Sequence, residues 1–204
     1  MSAADRREVI LDAALEEFSL SGFHETSLEG VAHRAGISKA LIYEHFPSKR
    51  DLHEALLGRY RHDLLERVIS ALSAPGSPEG RLRSGAEAFF SFVEENREPW
   101  RLMVRSPIES SDSTAVGGGQ GEMAHAIAAL ARGDMPPEVE EQQGLDEAKL
   151  RIEFWAQQLV GAMRALANWW DDHREVPRGR LVQAIMNFVY FGMERNMRGE
   201  RWEP

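Results

Sequence analysis

Gly22, Gly36 and Pro47 punctuate the N-terminal stretch of the chain, and this punctuation constrains the fold more than any other feature. Before Gly22, the apolar residues Val9, Ile10, Ala13, Ala14 and Phe18 recur near the ~3.6-residue period of a helix, which is expected over residues 4–20. Gly22 is a natural C-terminal stop. Thr26 or Ser27 can then cap a short helix whose apolar face is Leu28, Val31, Ala32 and Ala35, ended by Gly36. Ser38 caps the next, with Leu41, Ile42 and Phe46 on its apolar side. Pro47 closes it, because a residue before proline is pushed toward extended backbone. Ser48 opens a long helix over 49–72 through Leu52, Leu56, Tyr60 and Leu64.

Beyond this point helical periodicity continues and strand signals are scarce. "SAPGSPEG" (73–80) is a sharp break, and "SPIESSDSTAVGGGQGE" (106–122) has the Ser, Asp and Gly content of a mobile loop. Helices are expected near 79–96, 98–105, 122–132, 145–173 and 178–198. The fold class is therefore all-α: a three-helix unit over 1–48 and a larger helical bundle over 49–204. Hydrophobic residues make up 43% of the chain, enough for a core. There is no cysteine, which excludes disulfides, Cys-ligated zinc and thiol catalysis. No apolar run reaches the ~18–20 residues that span a bilayer, and the N-terminus has no signal-peptide core. A cytoplasmic protein with no membrane partner is expected.

The formal net charge of -9 opposes non-specific binding to nucleic acid. Sites are local, however. Over residues 34–50 four basic side chains, Arg34, Lys39, Lys49 and Arg50, face one acid, Glu44. Two short helices around a Gly-containing turn are the layout of a helix-turn-helix. The small Ala32 and Ala35 let the helices cross closely, with Ile37 and Phe46 anchoring them to the first helix. On the second helix, Lys39 suits a phosphate or guanine edge, Tyr43 and His45 suit phosphate, and Ala40 and Leu41 suit apolar contact with base edges. Lys49, Thr26 and Ser27 stand at helix starts, where backbone N–H groups also attract phosphate. Arg6 and Arg7 oppose the helix macrodipole, so they are either solvated or in contact with the DNA backbone or minor groove.

These residues resemble the TetR family of transcriptional regulators. The likeness runs through residues 10–57, in "AALEEFSLSGF", "TSLEGVAHRAGIS" and "LIYEHFPSKRDL". It implies a three-helix DNA-binding unit followed by a bundle that dimerises and binds an inducer. The family's DNA-contact roles carry over to Thr26, Ser38, Lys39, Tyr43, His45 and Lys49, with Ala40 and Leu41 where bases are often read. Ala40 stands where the family commonly has Gly, and Glu44 adds an acid to the reading helix. Repression is the family's usual mode.

In the C-terminal part, Ala148, Ile152, Trp155, Leu159, Met163, Leu166 and Trp170 form one apolar stripe, and Phe154, Gly161 and Ala165 another. Leu181, Ile185, Phe188, Val189, Gly192 and Met193 recur along the last helix. More apolar faces than one domain needs favour a homodimer through about 145–198, with two reading heads for a pseudo-palindromic operator. Phe89, Phe92, Trp100, Met103 and Phe154 are the candidates to line an inducer pocket. Catalytic patterns are lacking. "HEALL" has no second His, "GGGQG" follows no strand, and Asp171, Asp172 and His173 read as a solvated helix end rather than a metal site. No cofactor or metal is expected. The rival reading is an all-α ligand-binding protein or enzyme that never touches DNA.

Overall fold

The computed structural model describes residues 2–105, 115–133 and 145–192. The described residues form helices α1 (Ala3–Glu25), α2 (Leu28–Arg34), α3 (Lys39–His45), α4 (Lys49–Leu72), α5 (Pro78–Glu95), α6 (Arg97–Arg105), α7 (Ala115–Gly133), α8 (Leu145–Asp171) and α9 (Arg178–Ile185), the last continuing through a π-helical turn at Met186–Tyr190. The all-α expectation holds, and no described helix is long and apolar enough to cross a membrane. Two compact units emerge. One contains the chain up to Asp63 together with α6, and the other contains Leu64–Glu95 and α7 to α9. The units part inside α4, between Asp63 and Leu64, whereas the sequence leads one to expect the division after residue 48.

The N-terminal unit is built around the apolar stripe of α1. Ile10, Leu11, Ala14 and Phe18 pack with Leu28, Val31 and Ala32 of α2, Ile42 of α3, Phe46, and Leu52 and Leu56 of α4. A Ser2–Asp5 capping box starts α1, and Gly22, at φ 73°, breaks it before a last turn that runs on to Glu25. The turn between α2 and α3 is a complete Schellman motif. Gly36 takes φ 67°, its N–H donates to the His33 carbonyl at 3.2 Å, and Ile37 N–H reaches back to Ala32 at 3.0 Å. Ser27 and Ser38 cap α2 and α3, accepting from the N–H groups of Gly30 at 3.0 Å and Leu41 at 3.2 Å. Phe46 is extended (φ -138°, ψ 105°) ahead of Pro47, and Ser48 accepts from Asp51 N–H at 3.1 Å to open α4.

In the second unit α5 buries Leu82, Ala86, Phe89, Phe90, Phe92 and Val93. Phe90 meets the ring of Trp170 edge-on at 6.2 Å. Trp170 in turn donates its indole N–H to the Val176 carbonyl at 2.7 Å, fixing the turn into α9. Arg178 at the start of α9 donates to Glu94 at 2.7 Å and to Ser91 at 3.0 Å on α5. α7 lies along α8, burying Met123, Ala124, Ile127 and Ala128. This helix begins at Ala115, well before the expected start near 122, so the glycine-rich end of the expected loop is helical. The rest of that expected loop, 106–114, lies outside the described residues, as does Met193.

Candidate nucleic-acid interface

The helix-turn-helix residues converge on one exposed surface, but several do so differently from the sequence expectation. A cleft of about 430 Å³ is lined by Thr26, Ser27, Leu28, Glu29, Tyr43, Pro47, Ser48 and Lys49. It draws together the capped starts of α2 and α4 and the outward face of α3. Tyr43 is exposed at its wall, Ala40 is exposed, Leu41 is half-buried, and His45 is half-buried with its ring 6.4 Å from that of Phe46. Ser38 is exposed, with its hydroxyl committed to the cap of α3.

Thr26 departs from expectation. It is only 3% exposed, and its hydroxyl lies 2.7 Å from the Gly22 carbonyl and 3.2 Å from that of Glu17. Its single hydroxyl proton closes the broken end of α1 rather than facing solvent. Lys49 also has internal work. Its ammonium donates to the carbonyls of His24 and Thr26, both at 2.8 Å, and stands 4.8 Å from the centroid of the Phe23 ring. An ammonium has three donors, so two are spent on the end of α1.

The local basic excess is largely paired in three dimensions. Arg34 reaches Glu16 and Glu17 of α1, both at 2.7 Å. Lys39 is ion-paired with Glu29 across the turn, and Arg50 with Glu54 at 3.3 Å. The pairing with Glu29 raises the pKa of Lys39, and that with Lys39 lowers the pKa of Glu29. Arg7, expected to be solvated or on the DNA backbone, lies over the Phe46 ring at 4.8 Å. Glu54 is one helical turn from Arg50, but Glu16, Glu17 and Glu29 are far from their partners along the chain, outside the helical spacings by which sequence reveals ion pairs.

Sequence reasoning also missed His53. It is 1% exposed, with its ring edge-on to Phe18 at 4.9 Å and to Phe23 at 5.0 Å, one turn beyond Lys49. Burial, with the charge of Arg61 second, holds its pKa down at about 4. Along the sequence, a histidine between Leu52 and Glu54 looks like a surface residue of an amphipathic helix; only the packing of Phe18 and Phe23 over it shows otherwise.

Of the expected pocket residues, Phe89 and Phe92 are buried in the second unit, and Trp100 and Met103 are buried in the first. Phe154 is a correction, since it is 57% exposed on α8 and does not point into the interior. Of the second apolar face expected at Phe154, Gly161 and Ala165, Ala165 lines an open apolar cleft of about 350 Å³ between α8 and α9, together with Ala162, Leu166, Trp169, Ala184, Ile185 and Phe188. At the end of α8, Asp171 pairs with Arg174, and His173 stacks on Trp169 at 4.0 Å.

Comparison with known proteins gives this geometry a context. The family model described as bacterial regulatory proteins, tetR family, matches residues 10–56, and that of the tetracyclin repressor-like C-terminal domain matches residues 78–192. The chain is 30% identical over 190 residues to the HTH-type transcriptional activator FasR of Mycolicibacterium smegmatis, covering 93% of this chain and 83% of that protein. It is 48% identical over 52 residues to the HTH-type transcriptional regulator RutR of Escherichia coli, covering 26% of this chain and 24% of that one. The crystal structure of a TetR-like transcriptional regulator from Rhodococcus sp. RHA1 superimposes with a TM-score of 0.72 at 26% identity, over 98% of this chain and 100% of that one.

Proposed function

The chain belongs to the TetR family of DNA-binding transcriptional regulators, and from that premise we propose that it binds a pseudo-palindromic operator as a homodimer and is released by a small-molecule inducer. Members of this family are regulators and not enzymes.

In this reading residues 1–48 form the reading head and residues 49–204 the ligand-binding and dimerisation domain. The observation that carries it is the cleft joining Ser27, Tyr43, Ser48 and Lys49 beside the exposed face of α3. A phosphate seated there takes the Tyr43 hydroxyl and the remaining Lys49 donor, His45 takes another phosphate, and Lys39, Ala40 and Leu41 meet the major groove. Thr26 contributes by shaping the end of α1, not by contact. The partner surface is the apolar cleft of Trp169, Ile185 and Phe188, covered by the same surface of a second copy. Phe89 and Phe92, which lie within the residues matched by the C-terminal family model, are the leading candidates to meet the inducer. The inducer acts by binding better to a dimer whose reading heads no longer match successive major grooves, since only differential affinity shifts an equilibrium.

Selection of bound duplex from a random pool, followed by a salt titration, tests the reading. Affinity should fall steeply with salt, each neutralised phosphate adding about −0.9 to the log–log slope. Association that is undetectable or indifferent to salt refutes it. Repression is the primary mode proposed. Activation is the second, favoured by the 30% identity with the transcriptional activator FasR over 93% of this chain, and a reporter placed behind the selected operator separates the two.

A further inference from the structure

The ion pairs of the reading head fall into two kinds. Arg34 with Glu16 and Glu17 fastens α2 to α1, and these residues lie outside the lining of the cleft. Lys39 with Glu29 is different. Lys39 is the first residue of α3, and Glu29 stands in the first turn of α2. Glu29 lines the same cleft as Ser27, Tyr43 and Lys49. The side chains are 61% and 51% exposed, and so open a pair adds little to folding. The helix dipole favours an acid in the first turn of α2, but it does not require that the acid hold Lys39 among groups suited to phosphate.

We propose that Glu29 is a specificity-determining residue of the DNA interface: it occupies Lys39 so that the head approaches a mismatched duplex as a neutral pair. The inference rests on the DNA-binding reading above and concerns its selectivity. Affinity for arbitrary DNA comes almost wholly from cations that neutralise phosphates and release counterions. A lysine already held by a carboxylate contributes little of this, and the carboxylate itself repels the backbone. A matched site loses less. The ammonium has three donors, so Lys39 can keep Glu29 while giving the others to guanine O6 and N7. Glu29 thus lowers the affinity of wrong sites more than that of the right one, which is selectivity by penalising competitors.

The test compares wild type, Glu29→Gln, Lys39→Gln and the double variant on two probes: the tightest duplex from the random-pool selection and a duplex of scrambled sequence. Glu29→Gln should bind scrambled DNA about two- to fivefold tighter, the range an exposed pair is worth, with a salt slope steeper by up to about 0.9. Binding to the selected duplex should change less, so the ratio between the probes falls. In the Lys39→Gln background the gain on scrambled DNA should vanish. Unchanged scrambled-DNA affinity and slope overturn the proposal. So does a gain that persists without Lys39, which is simple repulsion, and so does a selective loss on the selected duplex, which makes Glu29 a direct base reader. Wild type that binds neither probe in a salt-dependent way refutes the DNA-binding reading itself, and the inference with it. Salt-dependent wild-type binding with an indifferent Glu29→Gln refutes the inference alone. Unaltered thermal melting of the variants confirms that the exposed substitutions leave the fold intact.

Discussion

At the scale of single residues, Lys49 serves the fold as well as the surface, and His53 serves the fold alone. Lys49 holds two carbonyls at the end of α1 and covers Phe23, so Lys49→Ala has a structural cost, about 1.5–3 kcal/mol for charge-assisted hydrogen bonds. Tyr43 is exposed and has no such duty. Tyr43→Phe should weaken binding to all duplexes roughly alike without moving the melting temperature, whereas Lys49→Ala should lower both. Filter binding beside a thermal melt separates the two residues, and unchanged affinity in both would remove them from the interface. His53 makes a further prediction. The fold keeps its imidazole neutral down to about pH 4, while the unfolded chain takes up a proton near pH 6.5. Above pH 6.5 neither state is protonated and there is no effect. As pH falls from 6.5 to 4 the unfolded state gains the proton that the fold refuses, so stability drops by at most about 3 kcal/mol and then levels off. Denaturant unfolding of wild type and His53→Leu at pH 7 and pH 5 should show about 2 kcal/mol less pH-dependent loss in the variant. Equal losses would mean that His53 is hydrated in the folded protein.

At the scale of elements, the reading helix is placed by a short turn. Gly36 at φ 67° lets Ile37 reach back to Ala32, and Ser38 then starts α3. Gly36→Ala forces a side chain into the left-handed region at about 1–2 kcal/mol, and Ser38→Ala removes a cap worth about 1 kcal/mol. Both should lower the melting temperature and weaken operator binding. Because the damage is to the placement of α3, Ser38→Asp, which can cap equally well, should recover the stability. These signals are local in the chain, so the sequence alone makes them legible. Gly36, Ser38, Pro47 and Ser48 behave as their positions require. What failed at this scale failed for lack of a local signal. The start of α7 at Ala115 runs through a glycine-rich stretch whose composition favours a loop, and the helix goes on to bury Met123, Ala124 and Ile127.

At the scale of the whole molecule, the apolar residues left outside are the informative ones. Phe188 is 73% exposed and Trp169 45%, beside an open apolar cleft that one chain leaves uncovered. Phe188→Glu should give monomers in sedimentation and reduce affinity for a two-half-site duplex about a hundredfold or more, since the second head loses its tether. A dimer that persists would move the interface elsewhere. The sequence by itself determined the all-α class, the helices of the helix-turn-helix with their stops at Gly36 and Pro47, and the family motif, because caps, breakers and apolar period act between near neighbours. The tertiary structure alone decided which charges are spent. Glu29, Glu16 and Glu17 meet Lys39 and Arg34 only because the turns bring distant segments together, and Lys49 and His53 acquire their inward roles only where α4 packs against the broken end of α1. Through-space chemistry of that kind depends on positions many residues apart, and no period along the chain encodes it.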